Sequence, residues 1–234
     1  MDRTPEHKGQ AVSRPVSSRQ HTVHERLPGL LERHLAEPWR APLHGPTVAA
    51  FNALEGVLGG RPEGVVLDSG CGTGESTRLI ARRWPERLVI GVDKSVERLR
   101  RGGMAQFPHR EANAVWLRAD LASFWRLARD AGWRLHRHYL LYPNPWPKPS
   151  QLQRRWHAHP VFPAMLGLGG RLEMRCNWRV YADEFALAVN RVLATDVRPV
   201  VLEASAALSP FERKYCASGH PLYSVSVSCV AGGV

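Results

Sequence analysis

Three glycines and three carboxylates in the middle of the chain have the types and spacing to bind a charged nucleoside. The stretch LDSGCGTGES holds Asp68, then Gly70, Gly72 and Gly74. Glycines leave room for a ligand against the backbone, and a helix opening just after them aims its free N–H groups at that ligand. The dinucleotide fingerprint is G-x-G-x-x-G, whereas the spacing here is G-x-G-x-G with an acid two residues ahead. A carboxylate in that place pairs with a ligand ammonium and repels a pyrophosphate. Asp93 ends the apolar run RLVIGVD, and in doubly wound nucleoside-binding folds an acid there takes ribose hydroxyls. Asp120 ends LRAD, placed for an adenine amino group, with Leu121 beside the ring. Asp93 or Asp120 alone serves equally well as a helix N-cap. Three acids at the ends of three successive strands point instead to one ligand, because open α/β sheets bind ligands at that edge.

A second constellation is YPNPWPKP. Pro143, Pro145, Pro147 and Pro149 forbid a helix or central strand, so the segment is a stiff loop with Asn144 at its centre. An apolar strand delivers it to the same sheet edge, which places Asn144 at the reacting atoms. Lys148, Arg154 and Arg155 follow. Residues 131–172 hold no Asp or Glu, yet carry these cations with Arg134, Arg137 and Arg171, interleaved with Trp133, Trp146, Trp156 and four histidines. Cations among aromatics suit phosphate contacts with base stacking. The net charge of +11 favours a polyanionic partner, against the alternative of a solvated basic surface. The pairs His136/His138 and His157/His159 have no third ligand nearby, so no metal is expected. Cys71, small and inside the glycine loop, reads as buried rather than nucleophilic.

These residues need elements to hold them. From residue 64 onward, short apolar strands alternate with helices, which implies a parallel sheet. Strands are expected at GVVLDSG, RLVIGVD, AVWLRAD, RLHRHYLLY, GRLEMRCN, RPVVLEASA and PLYSVSVSCV. Helices are expected at ESTRLIARRW, SVERLRR, LASFWRLARDAG, near 151–167 and over 179–193. Only a loop, LSPFERKYCASGH, is read between the last two strands, which predicts an antiparallel final strand. The fold class is therefore α/β, a seven-stranded, mostly parallel, doubly wound Rossmann-like sheet. Residues 1–25 are polar, aperiodic and read as a disordered tail, residues 26–60 as a helical cap including a helix over 47–58, and residues 61–234 as the ligand-binding domain. The chain of 234 residues, 44% of them hydrophobic and 23% charged, suits one soluble domain. No apolar run is long enough to span a membrane, and four dispersed cysteines without a C-x-x-C fit a reducing cytoplasm. Nothing speaks to oligomeric state.

The acid and glycine loop resembles motif I of class I S-adenosylmethionine (SAM)-dependent methyltransferases, D-x-G-x-G-x-G. The proline loop narrows the resemblance to the tRNA (guanine-N7)-methyltransferase family, whose loop after the fourth strand has the form F-P-D-P-W-x-K with an R-R pair behind it. Here it reads Y-P-N-P-W-P-K, then Arg154–Arg155. The family's acid-Trp pair after the fifth strand is matched by Asn177–Trp178. Its late T-x-[FY]-E segment is matched by Ser209, Phe211 and Glu212. The resemblance runs from about residue 65 to 227. It implies a methyltransferase using SAM, without a metal, acting on tRNA or another structured RNA. Asp68, Gly70, Gly72, Gly74, Asp93, Asp120, Leu121 and Asn144 then lie on the SAM side. Lys148, Arg154, Arg155, Asn177 and residues 209–212 lie on the RNA side.

Two asparagines, Asn144 and Asn177, stand where the family has aspartates. Guanine N7 offers a lone pair and no proton, so transfer to it needs alignment rather than a general base. A carboxylate would stabilise the positive charge arriving on the purine, while an asparagine accepts a hydrogen bond without charge. The loss is on the order of 1–3 kcal/mol. Two other readings stay open. Amino-group methyltransferases of nucleic-acid bases carry an [N/D]-P-P-[YFW] loop, whose ingredients NPWP shares in another order. An RNA-binding paralogue that keeps SAM but has lost catalysis would also tolerate both asparagines.

Overall fold

Side chains alternate along each strand, so apolar residues divide between two faces of a sheet. A computed structural model describes residues 13–37, 39–58, 63–203 and 207–232. The strands are β1 (Glu63–Ser69), β2 (Val89–Asp93), β3 (His109–Glu111), β4 (Ala114–Arg118), β5 (Arg134–Leu141), β6 (Gly170–Cys176), β7 (Val200–Val201) and β8 (Tyr223–Cys229). They form one sheet in the order β3-β4-β2-β1-β5-β6-β8-β7. The run from β4 to β6 is parallel, while β8 is antiparallel to both β6 and β7. Val65, Leu67, Ile90, Val92, Val115 and Leu117 face one core. It is closed by α1 (Leu27–Ala36), α2 (Gly45–Leu58), α5 (Leu121–Asp130), α6 (Phe162–Leu166) and α7 (Arg179–Leu193). The intervening Val66, Val89, Trp116, Tyr139 and Leu141 face a second core against α3 (Glu75–Arg83) and α4 (Val96–Arg101).

The expected α/β sheet with an antiparallel last strand is present, with an eighth strand at its edge. That strand, β3, is short and pairs antiparallel with β4 across a left-handed Ala112. Its sequence, HRE, has no apolar alternation to announce it. The segment read as a loop before the last strand contains helix α8 (Pro210–Ala217). Ser209 caps it, accepting from the Glu212 N–H at 3.1 Å, with Pro210 in the first turn. This is an S-x-x-E capping pattern, so the antiparallel strand follows a helix rather than a bare loop. The helix expected near 151–167 is two 3-10 turns, Pro149–Arg154 and Trp156–Ala158, followed by α6, because Pro160 and Pro163 interrupt a continuous hydrogen-bond ladder. The strand expected at RPVVLEASA is confined to Val200–Val201, and residues 204–206 lie outside the described residues. Within the stretch expected as a helical cap, Leu27–Ala36 form α1 and Gly45–Leu58 form α2, while residues 38, 59 and 60 lie outside the described residues.

The tail reading is corrected for residues 13–25. They run without helix or strand but are hydrogen-bonded to Ser218, Pro147 and Glu184, and Val16 and Val23 pack on the core. Residues 1–12 lie outside the described residues. No helix among the described residues is long and apolar enough to cross a membrane.

Candidate active site

Parallel strands β1, β2, β4 and β5 end at one edge of the sheet, in register Asp68–Gly91, Asp93–Arg118 and Asp68–Tyr139. Asp68 is 1% exposed. Its Oδ2 accepts from Ser76 Oγ and Thr77 Oγ1, each at 2.7 Å, and its Oδ1 is buried without a partner. Burial pushes its pKa up to about 6; the two hydroxyls oppose the rise and the Asp93 charge adds to it. Gly70 and Gly72 have left-handed φ of 79° and 60°, and a Cβ on either would meet no atom within 4 Å. At Gly74 a Cβ would lie 2.2 Å from the Trp116 indole nitrogen. The first two glycines therefore border open space, and the third serves packing. Cys71 is buried, and burial with the charges of Asp68 and Asp93 pushes its thiol well up, so it stays protonated and inert.

Asp93 is buried beside the same loop. Its Oδ1 accepts from Ser95 N at 2.8 Å, and its Oδ2 from Gly72 N at 3.0 Å and Arg98 at 3.2 Å. Three of a carboxylate's roughly four acceptor positions are thus filled. The Arg98 side chain, 47% exposed, is the partner free to yield. Asp120 is the N-cap of α5, accepting from Ser123 N at 2.9 Å, and remains half-buried at the edge. Leu121 is buried against the core at the start of that helix.

Asn144 projects from its loop exposed, with no hydrogen bond among the described residues. Left-handed Tyr142 (φ 51°) and Trp146 (φ 44°) flank it. Such backbone costs on the order of 1–3 kcal/mol per residue and persists only where surroundings over-determine it. Here Tyr142 N donates to Arg175 O at 2.8 Å, and Trp146 O accepts twice from Arg155, at 3.0 and 3.2 Å. Lys148 is exposed and unpaired among the described residues; Arg154 is exposed with its guanidinium 4.9 Å over the Trp146 ring.

The expected RNA contact at Arg155 is corrected. Its side chain is 0% exposed, donating to Glu184 at 2.5 Å, to Gln20 at 3.0 Å and to Trp146 O. A guanidinium with its donors used inside the fold supports the loop and cannot meet a phosphate. The acid-free tract also divides. Arg134 and Arg171 lie at the strand starts of β5 and β6, the opposite edge. Trp133 is a core residue, and Trp156 packs edge-on to Trp125 at 4.7 Å. Lys148, Arg154 and Trp146 are what remains at the loop. His138 is buried against Ser69 at 2.8 Å and burial lowers its pKa to about 3. No group of three His, Cys, Asp or Glu among the described residues could hold a metal.

On the far wall, Asn177 Nδ2 lies 3.2 Å from His220 Nδ1. His220 stacks on Tyr215 (5.2 Å, 14°), which stacks on Phe211 (6.2 Å, 26°) and meets Tyr142 at 5.4 Å. Phe211 is 51% exposed. Ser209 and Glu212 are buried: the serine caps α8, and the glutamate pairs with Arg175 at 2.8 Å. Of the expected 209–212 group, only Phe211 therefore offers a surface. Arg213 on α8 pairs with Glu75 at the glycine loop. So α8 joins the acceptor loop to the glycine loop. Sequence reasoning did not single out Tyr142, Arg175, Tyr215 or His220, nor Glu184. The last left a trace: a carboxylate at apolar helical spacing with Tyr181 and Ala188 needs a buried partner.

Residues 62–225 match the Methyltransf_4 family of methyltransferases. The tRNA (guanine-N(7)-)-methyltransferase of Leifsonia xyli subsp. xyli (strain CTCB07) is 26% identical over 224 residues, covering 90% of this chain and 95% of that one. A trans-aconitate 2-methyltransferase from Azoarcus sp. (strain BH72) is 46% identical over 59 residues, only 25% of this chain and 21% of that enzyme. Among solved structures, the 16S rRNA methyltransferase KamB superposes with a TM-score of 0.52 at 18% identity, covering 82% of this chain and 97% of that one. That likeness is one of fold.

Proposed function

The chain belongs to the Methyltransf_4 family of methyltransferases, and from that premise we propose that it transfers a methyl group from SAM to N7 of a guanosine in tRNA. The observation that carries the reading is one sheet edge holding an open glycine loop, a buried Asp68 oxygen without a partner, and an exposed Asn144. The similarity over 90% of the chain to a tRNA guanine-N7 enzyme supports the acceptor.

SAM, when bound, supplies an electrophilic methyl group on a sulfonium. The residues fit it: Asp68 Oδ1 is the acceptor for its ammonium, Asp93 for its ribose and Asp120 for its adenine, beside the space left by Gly70 and Gly72. Asn144 accepts from the guanine edge through its side-chain carbonyl and aligns N7, whose lone pair needs no base. Asn177 and Phe211 form the opposite wall. Lys148 and Arg154 hold the RNA backbone by charge. Four free cysteines suit the reducing cytoplasm, where we place the enzyme.

The test is incubation with SAM and unmodified tRNA, then borohydride reduction and aniline treatment, which break the strand at 7-methylguanosine. SAM-dependent scission at one site is expected. Methyl incorporation without scission would overturn the N7 assignment.

A further inference from the structure

Residues 13–24 form no helix or strand, yet they cross from one wall of the acceptor site to the other. At the α8 end, Ser13 N donates to Ser218 Oγ at 2.9 Å and Ser13 O accepts from His220 Nε2 at 2.8 Å. A histidine that donates through Nε2 accepts at Nδ1 when neutral. That bond therefore orients His220 to accept from Asn177 Nδ2 at 3.2 Å. At the other end, Ser18 Oγ donates to Pro147 O at 2.5 Å, one residue after the carbonyl that Arg155 holds. Gln20 donates to Glu184 Oε1 at 2.6 Å and accepts from Arg155 at 3.0 Å, and His24 N donates to the same Oε1 at 3.0 Å.

Glu184 is the hub. Arg155 and His157 fill its Oε2, the strap fills its Oε1, and Glu184 and both these partners are 0% exposed. Burial alone would push this carboxyl up. The hydrogen bonds and charges of His157 and Arg155 outweigh burial and hold Glu184 down to about 2, so it stays ionised. One buried carboxylate thus ties Gln20 and His24 to Arg155 and so to the carbonyl of left-handed Trp146, while Ser18 holds the next carbonyl, that of Pro147, directly. An asparagine that supplies no charge must act by position alone, which makes its loop's rigidity decisive.

We propose that residues 13–24 are a positioning strap for methyl transfer, fixing the loop of Asn144 directly through Ser18 and, through Gln20, by way of buried Glu184 and Arg155. The inference rests on the methyltransferase reading above. Glu184→Gln risks misfolding, because it leaves the buried Arg155 charge unbalanced. The test is therefore the double variant Ser18→Ala/Gln20→Ala, on the edge of the network. Steady-state transfer to tRNA is expected to show kcat about 10- to 100-fold lower, with SAM affinity as in the wild type and a melting temperature lowered by only a few degrees, so that the variant stays fully folded at the assay temperature. Ser18→Thr, which keeps the hydroxyl, is expected to retain the wild-type rate. A second readout needs no activity: trypsin cleavage after Arg154, identified by mass, is expected to be severalfold faster in the double variant, because Arg155 has lost its Gln20 contact. If the wild type is active and the double variant matches it in kcat and cleavage, the strap has no positioning role. A fall in kcat that tracks lost melting temperature would likewise overturn it, as mere destabilisation. A wild type that transfers no methyl would instead overturn the functional reading.

Discussion

Asp68→Asn should make the free protein more stable at neutral pH while weakening its hold on SAM. Asp68 is 1% exposed and its pKa is raised from 3.8 to about 6, first by burial. A carboxyl raised in this way contributes most to stability below its unfolded pKa and loses that contribution as pH rises through its folded pKa. The window is therefore pH 3.8 to about 6, and the loss across it is about 3 kcal/mol. Asparagine keeps the acceptor for Ser76 and Thr77 but buries an amide in place of the unpartnered Oδ1, which returns about 1 kcal/mol. The net gain of about 2 kcal/mol at pH 8 corresponds to a melting temperature about 4–8 °C higher in a chain of this size. Thermal melts of both proteins from pH 4 to 8 test this, and the difference should shrink as pH falls through 6 and reverse below about pH 4.5, where only the cost of the buried amide is left. Calorimetry should show SAM binding to the variant weaker by about 10- to 100-fold, the worth of a charge-assisted hydrogen bond. Wild-type affinity should itself fall about tenfold per pH unit below 6, as Asp68 protonates. A stability difference that stays constant with pH, or SAM affinity indifferent to the substitution, refutes the assignment of Asp68.

Three further outcomes follow from the same geometry. Lys148→Ala with Arg154→Ala should reduce the slope of log K for tRNA against log salt by about 1.5–2, measured by filter binding across a salt series; an unchanged slope removes both from the RNA surface. Arg155→Ala, by contrast, should destabilise the fold by about 3–5 kcal/mol through the buried charge left on Glu184, read by denaturant melts, whereas Arg154→Ala should leave stability unchanged. Asn144→Asp should raise the rate of guanine-N7 transfer about 10-fold by stabilising the charge that reaches the purine, with single-turnover kinetics as the check; a slower variant would mean that the loop is tuned to a neutral side chain.

The glycine loop, the strand-end acids and the proline loop were legible because each depends on local chemistry: turn-forming glycines, buried apolar runs, and prolines that forbid regular structure. The alternation of strands and helices carried the parallel sheet and its antiparallel last strand for the same reason. The segment read as a loop before the last strand carries a local helix signal, the S-P-F-E capping pattern of α8, which the loop reading left out. Other features were set by partners far away in sequence. Arg155 and Arg154 are adjacent, and nothing local says that one is buried on Glu184 and the other faces solvent over Trp146. Trp133 and Trp156 look like stacking platforms beside cations until the core claims them. Residues 13–25 lack hydrophobic periodicity, so their order, held by polar contacts to Pro147, Glu184 and Ser218, left little sequence signature.

The measurement that bears most directly on the central claim is transfer from SAM carrying a deuterated methyl group to unmodified tRNA, with the digested nucleosides resolved by mass spectrometry. The account predicts deuterated 7-methylguanosine as the product. Label on an exocyclic amino group, or SAM bound with no labelled nucleoside, would contradict it.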